Sequence, residues 1–438
     1  MNRRNFLRTT SITGALLTSG VSFAGCNSSK VEDNNEVTSI GGLSIKEHRD
    51  ELWQRLFEEY LPFWEHGGYD EKYGGFICHL DKDGIPVDDE KNIWYQGRGI
   101  WVYSFLYNNI KKDPKYLEIA KQARNFMVNK MYANNGKWLG IVHRDGAVIK
   151  GIDHETDIYG WLFAANGLAE YYKISKDDED LKLIKESIHA AVESYDSEHY
   201  LKGTKNEGLR FQGHSMIFLR LLTQFLSHHK DEELEKLLEF HKNKIMNDFY
   251  HPEYRISNEE LNHDYSRIKG KDDKMFLGHS LETQWMVMDL ALRRNDKDLY
   301  KKARDNFRRY LMMGWDHNFD GWGSEFYYVL QDYPLQKVYQ TKTMWSHTEI
   351  LNGCLMIYEH EKAMWARELY DETWDYVKKY FSRGIPAWEQ AVDRFGKPKS
   401  RANWGINPMR RGNYHQPRYL MLAILRLNRM IEKQSSAT

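Results

Sequence analysis

Histidine, glutamate and arginine recur at the beginnings of apolar segments in this chain, and those residues carry the chemistry that the sequence offers. In Gly278-His279-Ser280-Leu281-Glu282-Thr283-Gln284-Trp285, a helix starting at His279 puts His279 and Glu282 one turn apart on one face. Leu281, Trp285, Met288 and Leu292 then form a separate packing stripe. An imidazole beside a carboxylate is suited to proton transfer near neutral pH. The start of a helix adds backbone donors and partial positive charge, which favour a site where negative charge develops.

Similar residues open other apolar segments. These are Trp94-Tyr95-Gln96-Gly97-Arg98, Asp157-Ile158-Tyr159, Gln212-Gly213-His214, Met344-Trp345-Ser346-His347-Thr348-Glu349 and Asn413-Tyr414-His415-Gln416-Pro417-Arg418. Arg98 leaves an apolar helix as a permanently charged donor, the group that holds a developing oxyanion. Pro417 is tolerated in a first helical turn, which fixes His415 near a helix start. Glu282 and Glu349 are placed to orient the imidazoles or to pair with the arginines. Independent helix caps have no reason to repeat His, Glu and Arg in this way, so the expectation is one funnel lined by Arg98, His214, His279, Glu282, Trp345, His347, Glu349, His415 and Arg418. His228, His229 and His241 fall on charged segments and are expected to be solvated. Trp94, Trp322, Trp345, Trp388 and Trp404 flank the funnel, for packing or for stacking on a sugar.

The elements that position these residues are of two alternating kinds. Amphipathic, heavily charged segments cover roughly 43–63, 115–131, 178–194, 231–249, 298–313 and 361–381. Segments apolar nearly all round cover roughly 98–108, 158–172, 215–226, 280–292, 349–358 and 419–427, and must be buried between neighbours. Outer and inner helices repeating about every 60 residues predict an all-α (α/α)6 barrel in a single domain. Parallel inner helices bring their starts, and the long loops before them, to one mouth.

The formal net charge of -1 excludes a basic nucleic-acid surface and suits neutral or weakly charged ligands. The 14 Trp, 28 Tyr and 19 Phe exceed what a core of this size needs, and flat amphipathic rings suit sugars. Residues 1–25 read as an export signal, with a twin-arginine stretch at Asn2-Arg3-Arg4-Asn5-Phe6-Leu7 and an apolar run from Ile12 to Phe23. Phe23-Ala24-Gly25-Cys26 resembles a lipobox, so a lipid anchor at Cys26, a flexible tether over 26–42 and a catalytic domain over 43–438 are expected. The implied address is the periplasm, or a membrane-anchored lipoprotein of a bacterial envelope. Cys78 and Cys354 are too few for a disulfide framework, though they are free to pair. No paired-cysteine, His-Glu-x-x-His, phosphate-loop or serine-elbow signature occurs, so neither a metal nor a nucleotide cofactor is expected. The oligomeric state is open, a homodimer included.

Together the motifs resemble the N-acylglucosamine 2-epimerase family, which includes cellobiose 2-epimerases and aldose–ketose isomerases. The likeness rests on Phe63-Trp64, Asp70 with Tyr73-Gly74-Gly75-Phe76, Asp81-Lys82-Asp83-Gly84, Gln96-Gly97-Arg98, Gly278-His279-Ser280-Leu281-Glu282, Trp345 with Glu349, and His415 with Pro417-Arg418. It implies the same barrel, His279 and His415 as catalytic acid/base residues, and Arg98, Glu282 and Glu349 as residues of the sugar site. Where the family's fifth motif reads Lys-x-Trp-Trp-Pro-Gln-x-Glu, this chain departs from it with Lys342-Thr343-Met344-Trp345-Ser346-His347-Thr348-Glu349. The activity implied is interconversion of C2 epimers of a reducing mono- or disaccharide through an enediolate. Alternatives are an aldose–ketose isomerase, a cellobiose 2-epimerase, a glycoside hydrolase using Glu282 and Glu349, and a sugar-binding lipoprotein.

Overall fold

A computed structural model describes residues 39–150, 158–399 and 411–437. The twin-arginine stretch, Cys26, Asp157 and Trp404 lie outside them. Helix α1 spans Ile45–Gln54 and runs on through Arg55–Tyr60, Leu61–Phe63 and Trp64–Gly68. It is followed by α2 (Ile93–Phe105), α3 (Pro114–Met131), α4 (Ile158–Ser175), α5 (Asp178–Asp196) and α6 (Gln212–Phe225). The remainder are α7 (Glu232–Asn243), α8 (Leu277–Arg294), α9 (Lys297–Gly314), α10 (Met344–Glu361), α11 (Met364–Val377) and α12 (His415–Ala437). Even-numbered helices pack on one another in sequence as an inner ring, each sheathed by an odd-numbered helix, and α12 packs on both α10 and α1. The ring is thus the expected (α/α)6 barrel. A side-chain bond from Asn413 to the Tyr95 carbonyl ties its last segment to its first.

The two helix kinds are started differently. Asp113, Asp177, Asp231 and Asp296 cap α3, α5, α7 and α9 through their side chains, and Ser44 forms a reciprocal capping box with Glu47 on α1. Inner helices α6, α8 and α10 have no side-chain cap. Each follows directly on a short strand paired antiparallel with a later loop: Arg210–Phe211 with Glu260–Leu261, Lys274–Phe276 with Phe326–Tyr328, and Thr341–Thr343 with Ala391–Asp393. The first helical N–H then donates to a carbonyl of that neighbouring loop: Gln212 to Glu259, Leu277 to Glu325 and Met344 to Gln390, at 2.9, 3.2 and 3.1 Å. Because the loops satisfy these backbone donors, side chains in the first turns are released for other work.

Two buried ion clusters fix the strands ahead of α2 and α10. Lys91 lies 2.9 Å from Asp70, which also takes the Arg144 guanidinium at 2.9 Å. Lys342 lies 3.3 Å from Asp316, which takes Arg394 at 2.8 Å. The Lys342 ammonium also donates to the Asp320 carbonyl. Both lysines are fully buried, so removing one partner would strand a charge in the core. Asp70 and Lys342, met in the sequence as motif residues, are therefore supports of the loops around the mouth.

Some expectations change. Ser39–Ile40 pairs with Leu43–Ser44, and the Gly41 N–H donates to Asp371, so residues 39–42, which fall in the predicted tether, pack with the barrel. Cys78 and Cys354 are both buried and are not joined to each other. His241 is buried and stacked on Phe218 at 4.1 Å rather than solvated, because it faces inward from α7 onto α6. Trp322 and Trp388 are fully buried packing residues.

Candidate active site

The helix-start end of the inner ring gathers the histidines with carboxylates. On α8, His279 Nδ1 lies 2.8 Å from Glu259 Oε1, to which its N–H donates. On α12, His415 Nδ1 lies 2.9 Å from Glu349 Oε1 of α10. With Nδ1 engaged, Nε2 of each ring is the nitrogen left for a ligand. Between them lies the indole of Trp345, its centroid 5.6 Å from each imidazole, which bounds their separation at about twice that distance. Gly278 makes this possible, since a Cβ there would meet the Trp345 ring at 2.4 Å.

Arg418 joins the carboxylates. Its Nη2 lies 2.6 Å from Glu282 and 2.6 Å from Glu349, and its guanidinium packs over Tyr414 and Trp285. Trp285 donates its indole N–H to the other oxygen of Glu349 at 2.8 Å. Glu282, Glu349 and His415 stand close enough together to suggest a cation site, but the Arg418 guanidinium already fills that role between the two carboxylates. A second such group among the described residues, His79, Asp88 and Glu90, lies partly exposed away from the histidines. Arg98 is held against Phe163, Tyr414 and Trp94 at 4.0, 5.1 and 5.3 Å, close enough for its charge to act on His415.

The two histidines differ electrostatically. Burial alone would lower the pKa of His279, but Glu259, aided by Glu282, outweighs it and holds the imidazole above its ordinary value. His415 goes the other way. Burial and then Arg418 push it well below the ordinary value, with Arg98 and His279 adding to this against Glu282. The surroundings of His279 therefore favour its protonated form and those of His415 its neutral form.

Of the predicted residues, His279, Glu282, Trp345, Glu349, His415 and Arg418 meet, with Arg98 beside them. His347 does not join them. It is fully buried, stacks on Tyr376 at 5.1 Å, donates from Nδ1 to the Thr343 carbonyl at 2.7 Å and accepts the Trp322 N–H on Nε2 at 3.2 Å. Both nitrogens are used in the neutral form, and its role is packing between α10 and α11. His214 lies behind the site in an aromatic box of Tyr159, Tyr195, Tyr200 and Phe211, with Nε2 3.3 Å from the Tyr200 hydroxyl. Two residues escaped the sequence reading as site residues: Glu259, and the Trp285 N–H. Glu259 stands just before a strand that pairs with the segment leading into α6, and this pairing is what carries its carboxylate to His279.

This arrangement has relatives. The N-acylglucosamine 2-epimerase (GlcNAc 2-epimerase) family model matches residues 74–409. The chain is 24% identical over 412 residues to the N-acylglucosamine 2-epimerase of Rattus norvegicus, covering 88% of this chain and 94% of that one. It is 25% identical over 357 residues to the cellobiose 2-epimerase of Dictyoglomus turgidum, covering 77% and 88%. The cellobiose 2-epimerase of Bacillus thermoamylovorans B4167 superposes with a TM-score of 0.72 at 19% identity, over 86% of this chain and 99% of that structure.

Proposed function

We propose, from the premise that the chain belongs to the N-acylglucosamine 2-epimerase family, that it interconverts the C2 epimers of a reducing sugar by proton transfer between His279, His415 and C2. The observation that carries this reading is the pair of imidazoles flanking Trp345, each anchored through Nδ1 to a carboxylate, with their proton affinities shifted in opposite directions. The open-chain sugar has a carbonyl at C1, which acidifies C2–H. Neutral His415 takes that proton on Nε2, and the C–H electrons move into C1–C2 as the carbonyl oxygen becomes an enediolate oxyanion. Arg98 supplies a fixed positive charge for that oxyanion. Protonated His279 then gives its proton to C2 from the other face, which completes the inversion. The reverse reaction exchanges the roles of the two histidines.

Return of the proton to C1 instead would give a ketose. Incubation with a panel of reducing sugars in deuterated water, read by NMR, separates these outcomes: the proposal expects a C2 epimer carrying deuterium at C2, and a ketose as sole product would replace it with the isomerase reading. A glycoside hydrolase is disfavoured because Arg418 occupies the space between Glu282 and Glu349 that a glycosidic oxygen would need. We further infer, from the twin-arginine stretch and Cys26, an exported and lipid-anchored enzyme, tested by fatty-acid labelling of the protein against Cys26→Ser.

A further inference from the structure

A cavity of about 510 Å3 opens where the C-terminal halves of the inner helices meet, at the opposite end of the barrel from His279 and His415. Lys173 of α4, Arg220 of α6, Arg293 of α8, and Arg426 and Arg429 of α12 line it, with Asp289 of α8 as its one lining carboxylate. Asp289 is shared by Arg220 and Arg293, at 3.3 Å from each. Behind the lining, Glu359 is shared by Arg426 and Arg429 at 2.9 and 2.6 Å, and Glu170 takes Lys173 at 2.8 Å. Five cations therefore answer to three carboxylates.

Helix C-termini carry partial negative charge and attract cations, yet among the described residues the one bond of this kind from these five cations is that of Arg293 to the Thr223 carbonyl, at 3.3 Å. The others reach into the cavity. Arg220 and Arg426 are only 5% and 6% exposed, and the Nε of each is buried without a protein acceptor. A buried donor left unmet costs about 1–3 kcal/mol, and more when it is charged. Trp285 forms the wall toward the histidine site: it lines this cavity, carries the Arg220 guanidinium at 5.2 Å, and donates to Glu349 on the far side.

We propose that this rear cavity is a binding site for a small phosphate-bearing anion. A phosphate dianion supplies the two charges that the carboxylates lack, and its oxygens match the fork geometry of guanidinium donors. The volume admits a body larger than orthophosphate behind that group. The site is independent of the sugar reading, since it lies across Trp285 from both histidines.

The test is calorimetric titration of the full-length protein with orthophosphate and with inorganic pyrophosphate, at constant ionic strength against chloride. Saturable one-to-one binding is expected, weakened by about tenfold or more in Arg220→Gln and Arg426→Gln, as loss of a charge-assisted contact implies. Lys173→Gln and Arg429→Gln sit at the more exposed rim and keep the measurement decisive should an interior variant fail to fold; together they must also weaken binding. His279→Asn must leave it unchanged. Absence of saturable heat for either probe up to about 10 mM, a range that captures millimolar affinities, overturns the proposal, as does equal affinity in the rim variants.

Discussion

Replacing Glu259 with Gln tests whether that carboxylate sets the protonation of His279. The substitution keeps an acceptor oxygen near Nδ1 but removes the charge now 2.8 Å away. An opposite charge at such a distance raises an imidazole pKa by about 1 to 3 pH units, so the value should fall by about that much in Glu259→Gln. Burial, the largest influence on His279, already acts to lower it, and Glu282 alone then opposes. The assay is NMR titration of the histidine ring carbons, His279 being the resonance absent from His279→Asn. Stability follows with a definite sign. A folded-state pKa raised above the unfolded value of about 6.5 contributes stability that is full below that pH and is lost as pH rises through the folded value. Denaturant unfolding should therefore show the variant weaker than the natural protein below pH ~6.5 and converging with it at higher pH, by about 1 to 4 kcal/mol at most. In catalysis, the limb where protonated His279 is lost should move to lower pH. An unchanged His279 titration in Glu259→Gln would refute the pairing as the cause of the raised pKa.

Further expectations concern the surroundings of the pair. Gly278→Ala should cut turnover while leaving the fold intact by circular dichroism, because the new Cβ would push at the Trp345 ring, 2.4 Å away; full activity would show that Trp345 does not set the space between the imidazoles. Arg418→Met leaves Glu282 and Glu349 facing each other in the core and should cost about 3–5 kcal/mol in denaturant unfolding, and most of that loss should return in Arg418→Met/Glu282→Gln/Glu349→Gln. His214, His241 and His347 are each pushed down to about 3, chiefly by burial. Their stability contribution is full above the unfolded value and is lost as pH falls toward the folded one, by about 2 kcal/mol per histidine at pH 5; unfolding free energies equal at pH 7 and pH 5 would contradict their burial as neutral rings.

The alternation of charged and apolar helices was legible because outer helices show water one face and inner helices show it none. The starts of the inner helices were harder to place. They begin earlier than the apolar runs suggest, at Ile93, Gln212, Leu277 and Met344: the first N–H of each bonds to a neighbouring loop carbonyl, and the last three have no capping side chain to read. Helical spacing then sorts the candidates. Residues three or four apart share a face, which joins His279 to Glu282, Trp345 to Glu349, His415 to Arg418 and Trp94 to Arg98. His347, two residues after Trp345, points the other way and enters the core. Glu259 gave no such signal. It lies in a loop twenty residues before its partner, and only the pairing of Glu260–Leu261 with Arg210–Phe211 brings it in.

The claim that two histidines serve opposite faces of one enediolate is tested most directly by deuterium exchange in single variants. His279→Asn and His415→Asn, each incubated with either C2 epimer in deuterated water, should both fail to epimerise. Each should still wash deuterium into C2 of one epimer, and the two variants should choose opposite epimers. Exchange lost equally from both epimers in both variants, or epimerisation kept in either, would contradict it.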